Sequence, residues 1–417
     1  MNLPPLYIDP GTGSMLFTIV IGATAAVFFV FRALVIKAKV FFSGGRAKQG
    51  VQNTFVIYAE DKRYWTLFKP IAEEFEKRAI ELLYLTSSPD DPVFDAGYQS
   101  IKAECLGEGN KAFARINFLS ADFVLSTTPG LDVYQWKRSK TVRHYSHIFH
   151  SADEPVKYEL FGIDYYDSIL VTGGEHQKND IRKLEQARRL PEKQVVTVGC
   201  PYLDEYAGKI AQLPKEENHI FTVLVSPSWG ASALLSRYGE KLLDPLAETG
   251  WRIIVRPHPQ SLSAEKEMID WLSGKYRENP NLEWDYSREN IISLNKADIM
   301  ISDFSGIMLD YMFLRNKPVI YVSQNMDLRP YDAHILYADQ EKMWTFRTLR
   351  KAGIELRPEL FDDLPGFIAK ISDDASLEQA IDAVKAEAWH YRGEAGKRVA
   401  DFMIETVNAI HNGEPLA

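Results

Sequence analysis

Two cysteines in 417 residues leave no disulfide framework to read. Neither Cys105 nor Cys200 has a CxxC partner or the His-rich surroundings of a zinc site, so both read as reduced thiols of a cytosolic protein. Basic residues are not in excess. The net charge is −9, whereas a nucleic-acid binder normally presents a basic face. Neither GxxxxGK[ST] nor GxGxxG occurs, which removes the usual sequence support for a P-loop or a dinucleotide turn. Asp-x-Asp is absent too, so nothing signals a metal bridging a diphosphate, and neither metal nor cofactor is expected. Internal repeats and low-complexity tracts are also missing. The remainder, 46% of it hydrophobic, is long enough to bury two cores.

One long apolar run is present. Residues 14–36 are almost wholly apolar, about the length that crosses a bilayer. No Lys or Arg precedes the run, while Arg32, Lys37, Lys39, Arg46 and Lys48 lie at or beyond its end. The positive-inside rule predicts a single-pass anchor in the cytoplasmic (inner) membrane, with the N-terminus outside and all later residues in the cytoplasm. A cleaved signal peptide carries its charge ahead of the apolar run, and this one does not. A buried core helix is the competing reading. It fits poorly with a segment apolar all round that stands before the first α/β unit.

Beyond a polar link, strand-like and helical patterns alternate. Strands are expected near 54–58, 81–85, 123–126, 141–149, 168–171 and 195–198. A second series follows near 221–225, 252–255, 282–284, 299–302 and 318–322. The alternation predicts an α/β protein of two Rossmann-like domains with mostly parallel sheets facing a cleft. The expected division is 1–50 for anchor and link, 51–212 for the first domain, 213–380 for the second, and 381–417 for helices packing back across both. Residues 208–218 read as a polar linker.

Residues 253–259, Ile-Ile-Val-Arg-Pro-His-Pro, read as a buried strand stopping at a loop, because proline neither donates to a ladder nor continues one. In open parallel sheets ligands collect at the carboxyl ends of strands, which places Arg256 and His258 in a crevice. A second strand ends in Ser302, Asp303, Phe304, Ser305 and Gly306, just where Ile307, Leu309, Tyr311 and Leu314 suggest a helix start. Backbone N–H groups and the helix dipole there favour an anion. With the loop at Ser226, Ser228 and Gly230, these segments suit a diphosphate.

His144, His147 and His150 are spaced by three, which on a helix suggests a metal face. Their Tyr, Ile and Phe neighbours favour a strand, on which the three cannot converge. His150 stands apart, at the strand's carboxyl end beside Asp153 and Glu154, and is a candidate general base. A surface histidine satisfied by a neighbour is the plainer reading. Arg182, Lys183, Arg188, Arg189 and Lys193 form a basic island, either solvated or resting on anionic lipid.

Phe149-His150-Ser151, Arg256-Pro257-His258-Pro259, residues 302–306, Asp310 and Pro318-Val319-Ile320-Tyr321 together resemble the CDP-glycerol glycerophosphotransferases of teichoic-acid-type polymer synthesis. The resemblance runs from about His150 to Val322 and departs from the family's pattern at Phe149, Ser151, Phe304 and Gly306. It implies a GT-B fold, a CDP-activated polyol phosphate bound to the second domain, and two important histidines.

The expected protein is a membrane-anchored transferase. It moves a polyol phosphate, glycerol phosphate first, from a CDP-linked donor to a hydroxyl of a membrane-associated glycan or lipid-linked acceptor. His150 and His258 are the expected catalytic pair. Arg256, Ser226, Ser228, Gly230, Ser302, Asp303, Ser305 and Gly306 are the expected donor contacts. A GT-B glycosyltransferase using a UDP-sugar and a non-catalytic nucleotide-binding scaffold are the competing readings.

Overall fold

The computed structural model describes residues 53–214, 219–287, 289–303, 305–322, 326–372 and 376–415. The expected anchor at 14–36 lies outside them, and among the described residues no helix is long and apolar enough to cross a membrane. Two parallel sheets organise everything else.

The first sheet contains β1 (Asn53–Ala59), β2 (Leu82–Thr86), β3 (Ile101–Cys105), β4 (Ala121–Ser126), β5 (Val142–Ile148), β6 (Ser168–Val171) and β7 (Gln194–Thr197). Their spatial order is β3-β2-β1-β4-β5-β6-β7. The second contains β8 (Thr222–Val225), β9 (Arg252–Val255), β10 (Leu282–Trp284), β11 (Ile299–Ser302), β12 (Val319–Tyr321) and β13 (Gly353–Glu355), in the order β10-β9-β8-β11-β12-β13. Helices cover both faces, so the central strands are hidden on both sides. Hence every residue of β4, β8 and β11 is buried. In each sheet the strand order reverses once, between β1 and β4 and between β8 and β11. Crevices at such reversals are where ligands sit in this architecture. The loops leaving those four strands therefore matter most.

The helix Trp65–Lys77 buries Leu67, Phe68, Ile71 and Phe75. They share one core with Val399, Phe402 and Met403 of the last helix, Ala395–Asn412, so the chain end returns to the first sheet. Arg78 clasps Asp401 at 2.7 Å across that contact. The helix Pro201–Gln212 occupies part of the stretch expected as a linker. Proline at its first position and buried Leu203 and Tyr206 explain why it forms despite Gly208.

On β5 the first two histidines of the trio face opposite ways, as strand geometry requires. His144 stacks on Phe123 at 4.9 Å and sets its Nε2 2.8 Å from the Ser168 hydroxyl. His147 lies among Phe149, Tyr158 and Tyr166. Burial holds the His147 imidazole neutral and pushes its pKa down to about 3. An unfolded chain restores the ordinary value near 6.5, so below that pH the unfolded state gains a proton that the folded state refuses. Buried Asp310 titrates with the opposite sign, because burial raises its carboxyl to about 7. A comparison with a variant isolates the histidine. Between pH 6.5 and 5, wild type should lose about 2 kcal/mol of stability relative to His147→Gln. Denaturant unfolding at both pH values measures it, and parallel profiles would mean that His147 is not held neutral.

The two sheets are stitched together by the segment that follows β5. Glu154 accepts from the backbone N–H groups of Trp344 and Thr345, at 2.5 and 2.9 Å, and so caps the helix Trp344–Ala352. Asp332 accepts from the Phe161 N–H at 3.0 Å and pairs with Arg188, whose guanidinium also meets Asp164 at 2.6 Å. The His176 imidazole stacks on the Trp344 indole at 3.9 Å with 4° between planes. The basic island is thus partly turned inward: Arg188 and Lys193 are nearly buried among carboxylates, and Arg182 pairs with buried Glu185.

Candidate functional site

The chain leaves β5 at Ile148 and reaches His150 in the following loop. Its Nδ1 lies 3.2 Å from the Thr127 hydroxyl, at the end of β4, and 3.3 Å from the Tyr158 hydroxyl. The Tyr158 hydroxyl in turn lies 3.2 Å from His147 Nε2. Two proton chains fit these distances: His150 Nδ1–H donates to Tyr158 and Tyr158 to His147, or His147 Nε2–H donates to Tyr158 and Tyr158 to His150. The first leaves the His150 Nε2 lone pair for a substrate proton, and the second places the ring's proton there. Burial, helped by the charge of Arg63 and opposed by Asp153, pushes the His150 pKa down to about 4. The ring is therefore neutral near pH 7.

Asp153 and Glu154, candidates for orienting His150, are engaged elsewhere. Asp153 receives Lys157 Nζ at 2.6 Å and the Thr345 hydroxyl at 2.6 Å. Its Oδ2 lies 3.4 Å from where a β-carbon on Gly306 would stand. The loop carrying His150 is thereby brought against the start of the helix Ile307–Arg315.

Around that helix start the second sheet's loops converge. Asp303 accepts from the N–H groups of Ser228 and Leu234, each at 2.9 Å, and so shapes the loop after β8. The Ser302 hydroxyl donates to the Ser226 carbonyl at 2.6 Å, tying β11 to β8 beyond the ladder. Ser226 Oγ lies 3.5 Å from the Arg256 carbonyl. Gly230 turns the loop with φ +98°, a conformation natural to glycine, and its N–H reaches Glu265 at 3.0 Å. Ser228 Oγ is buried and makes no hydrogen bond among the described residues, the state of a hydroxyl open to a ligand. Ser305 stands just before the helix, its carbonyl accepting from Met308 N–H at 3.2 Å.

Arg256 is placed differently from its sequence neighbour His258. Its guanidinium donates to Asp285 at 2.6 Å and to the Ser287 carbonyl at 2.8 Å, so it braces the edge of the second sheet. His258 Nδ1 accepts the Gln260 N–H at 3.1 Å, which fixes the neutral tautomer with its proton on Nε2. Burial, assisted by Arg63 and opposed by Asp303 and Glu265, lowers its pKa. The exposed Trp229 indole stacks over the His258 ring at 6.4 Å. Buried Asp310 accepts from the Tyr202 hydroxyl at 3.0 Å, its other oxygen without a hydrogen bond among the described residues.

Sequence reasoning missed Tyr64, whose ring sits 5.4 Å from that of His150, and Thr127, Tyr158 and Trp229. An aromatic beside a glycine in a strand-end loop was a visible signal for Trp229. The others become neighbours only through the sheet order.

Two parallel sheets of this order, with ligand crevices at their strand-order reversals, form a GT-B-like fold. Residues 163–356, a little under half of the chain, match the family described as CDP-Glycerol:Poly(glycerophosphate) glycerophosphotransferase, and through that stretch the chain is glycerophosphotransferase-like. The minor teichoic acid biosynthesis protein GgaB of Bacillus subtilis (strain 168) is 28% identical over 123 residues. That match covers 28% of this chain and 12% of GgaB. The solved wall teichoic acid polymerase TagF superposes with a TM-score of 0.58 at 15% identity, covering 94% of this chain and 99% of the other. Methanocaldococcus jannaschii UDP-GlcNAc 2-epimerase, solved with UDP-GlcNAc and UDP, gives 0.56 at 14% identity, covering 84% and 99%. Both likenesses carry the fold.

Proposed function

We propose that the chain transfers a polyol phosphate, glycerol phosphate first among candidates, from a CDP-linked donor to a hydroxyl of a membrane-associated glycan or lipid-linked acceptor. The setting is cell-envelope polymer synthesis. The observation that supports this most is a pair of neutral histidines on strand-end loops of the two sheets, each with Nδ1 engaged by the protein. In the tautomer the reaction needs, His150 offers a lone pair at Nε2, and His258 offers a proton there. The TagF relative has also been solved after soaking with CDPG.

In this reading the acceptor hydroxyl gives its proton to His150 Nε2 while its oxygen attacks the distal phosphorus of the donor. The bond to the bridging oxygen breaks, and CMP leaves with that oxygen. His258 Nε2–H, the Ser228 hydroxyl and the start of the helix Ile307–Arg315 meet the charge gathering on the leaving phosphate. Asp303, Ser302, Ser226 and Gly230 hold the loops in shape, and Arg256 braces them from the sheet edge. Incubation with CDP-glycerol, CDP-ribitol and UDP-sugars should release CMP from a CDP-linked donor and leave the UDP-sugars intact. Release of UDP would establish the glycosyltransferase reading, and no turnover with any donor would favour a scaffold.

The membrane anchor at residues 14–36 belongs to the same reading, because it would hold the site beside a lipid-linked acceptor. A cysteine near Asn2 should react with an impermeant thiol reagent in intact cells, and one near Gly50 should not. The reverse pattern would put the site away from the cytosolic nucleotide pool.

A further inference from the structure

We propose that Arg63 is a third phosphate-directed group, supplying the positive charge that meets the transferred phosphoryl group between His150 and His258. This rests on the phosphotransfer reading above. Arg63 lies in the loop leaving β1, at the strand-order reversal of the first sheet, where a parallel sheet opens its ligand crevice. Its guanidinium sits 5.7 Å from the Tyr64 ring centroid, and that ring is 5.4 Å from His150. Its charge acts on His150 in the first half and on His258 in the second, disfavouring the protonated form of each. A cation on the loop at this strand-order reversal, one aromatic ring away from His150, is placed to meet an anion held there.

Two other cations nearby are held by largely buried carboxylates, Arg256 by Asp285 and Lys157 by Asp153. Lys62 makes an exposed ion pair with Asp90. Arg63 pairs with Asp61 at 3.2 Å, and its side chain is 65% exposed. An exposed ion pair of this kind contributes little and is readily exchanged for a phosphate oxygen. Among the described residues, no group of three or more His, Cys, Asp or Glu side chains is arranged to hold a metal ion. Planar guanidinium geometry suits the equatorial oxygens of a phosphoryl group in flight.

The charged and titratable groups around the His150 ring are Arg63, Asp153, His147, Tyr64 and Tyr158. Removing the charge at Arg63 leaves Asp153 to act on His150 alone, so the His150 pKa should rise. Placing the donor's negative charge against Arg63 should raise it too, making His150 a stronger base when substrate is bound.

The test uses the full chain with Arg63→Gln and Arg63→Lys, after thermal melts show both folded. With CDP-glycerol, Arg63→Gln should lower CMP release about 10- to 100-fold, as expected for one lost hydrogen bond to a charged group. Arg63→Lys should recover part of the loss. Calorimetry with CMP, which lacks the distal phosphate, should give wild-type affinity for both variants. Histidine NMR titration should show the His150 pKa rising in Arg63→Gln. Full turnover in Arg63→Gln, or loss of CMP affinity equal to that for CDP-glycerol, would overturn the assignment while leaving the phosphotransfer reading in place. A wild type that neither binds nor turns over CDP-glycerol or CDP-ribitol would overturn both.

Discussion

Replacing His150 with Ala should lower turnover by about 10²–10⁴, the usual contribution of a general base, and leave donor affinity near wild type. The expectation follows from how the ring is held. Nδ1 is engaged by Thr127 and Tyr158, so only Nε2 faces a reaction. The ring's partners among the described residues, Thr127, Tyr64 and Tyr158, all belong to the first half. A pKa near 4 keeps the ring unprotonated at working pH but makes it a weak base in the empty site. The negative donor offsets the nearby cation and raises basicity where it is needed. Turnover assays beside titration calorimetry with CDP-glycerol decide the matter. If donor affinity collapses with turnover, His150 is a donor contact and the base must be sought elsewhere.

His258→Ala should weaken donor binding by about one to two decades, because a hydrogen bond to a charged phosphate contributes about 1.5–3 kcal/mol. Turnover should fall as well, since the same proton meets the leaving group. The variant also removes the ring on which Trp229 stacks, so the β8 loop loses a support. His258→Asn, which retains a side-chain donor, should recover part of the affinity. Unchanged donor binding in His258→Ala would remove this histidine from the donor wall. The two histidine variants should therefore separate: one fails in turnover alone, the other in binding and turnover together.

Much of this was legible in the chain because central parallel strands are continuous apolar runs. Residues 282–284 and 299–302 are strands as read, and the helix from Glu175 begins where two glycines end β6. The family likeness at 149–151, 256–259 and 302–306 leads to the same sheet ends. Two of the four edge strands escaped notice. β3 is Ile-Lys-Ala-Glu-Cys, half exposed, and β13 is three residues with no buried side chain. Neither carries the uninterrupted apolar signal of a strand hidden on both faces. The helix Trp344–Ala352 was missed because much of its start is specified from outside, by the Glu154 carboxylate. Arg256 shows the converse limit. Its position at a strand end was plain, but the direction of a four-bond side chain depends on Asp285 and Ser287, which only folding brings near.

The Glu154 cap bears on how substrates come and go. His150 lies four residues before a buried carboxylate that holds the backbone of the opposite half, and Asp332 and Arg188 fasten the same segment farther along. Swinging the halves apart would strip partners from these groups at a cost of about 1–3 kcal/mol each. These contacts therefore resist separation of the two halves and tie the loop that carries His150 to the second sheet. On the proposed reading, an acceptor would reach His150 along the crevice between the strand-end loops without the halves having to part.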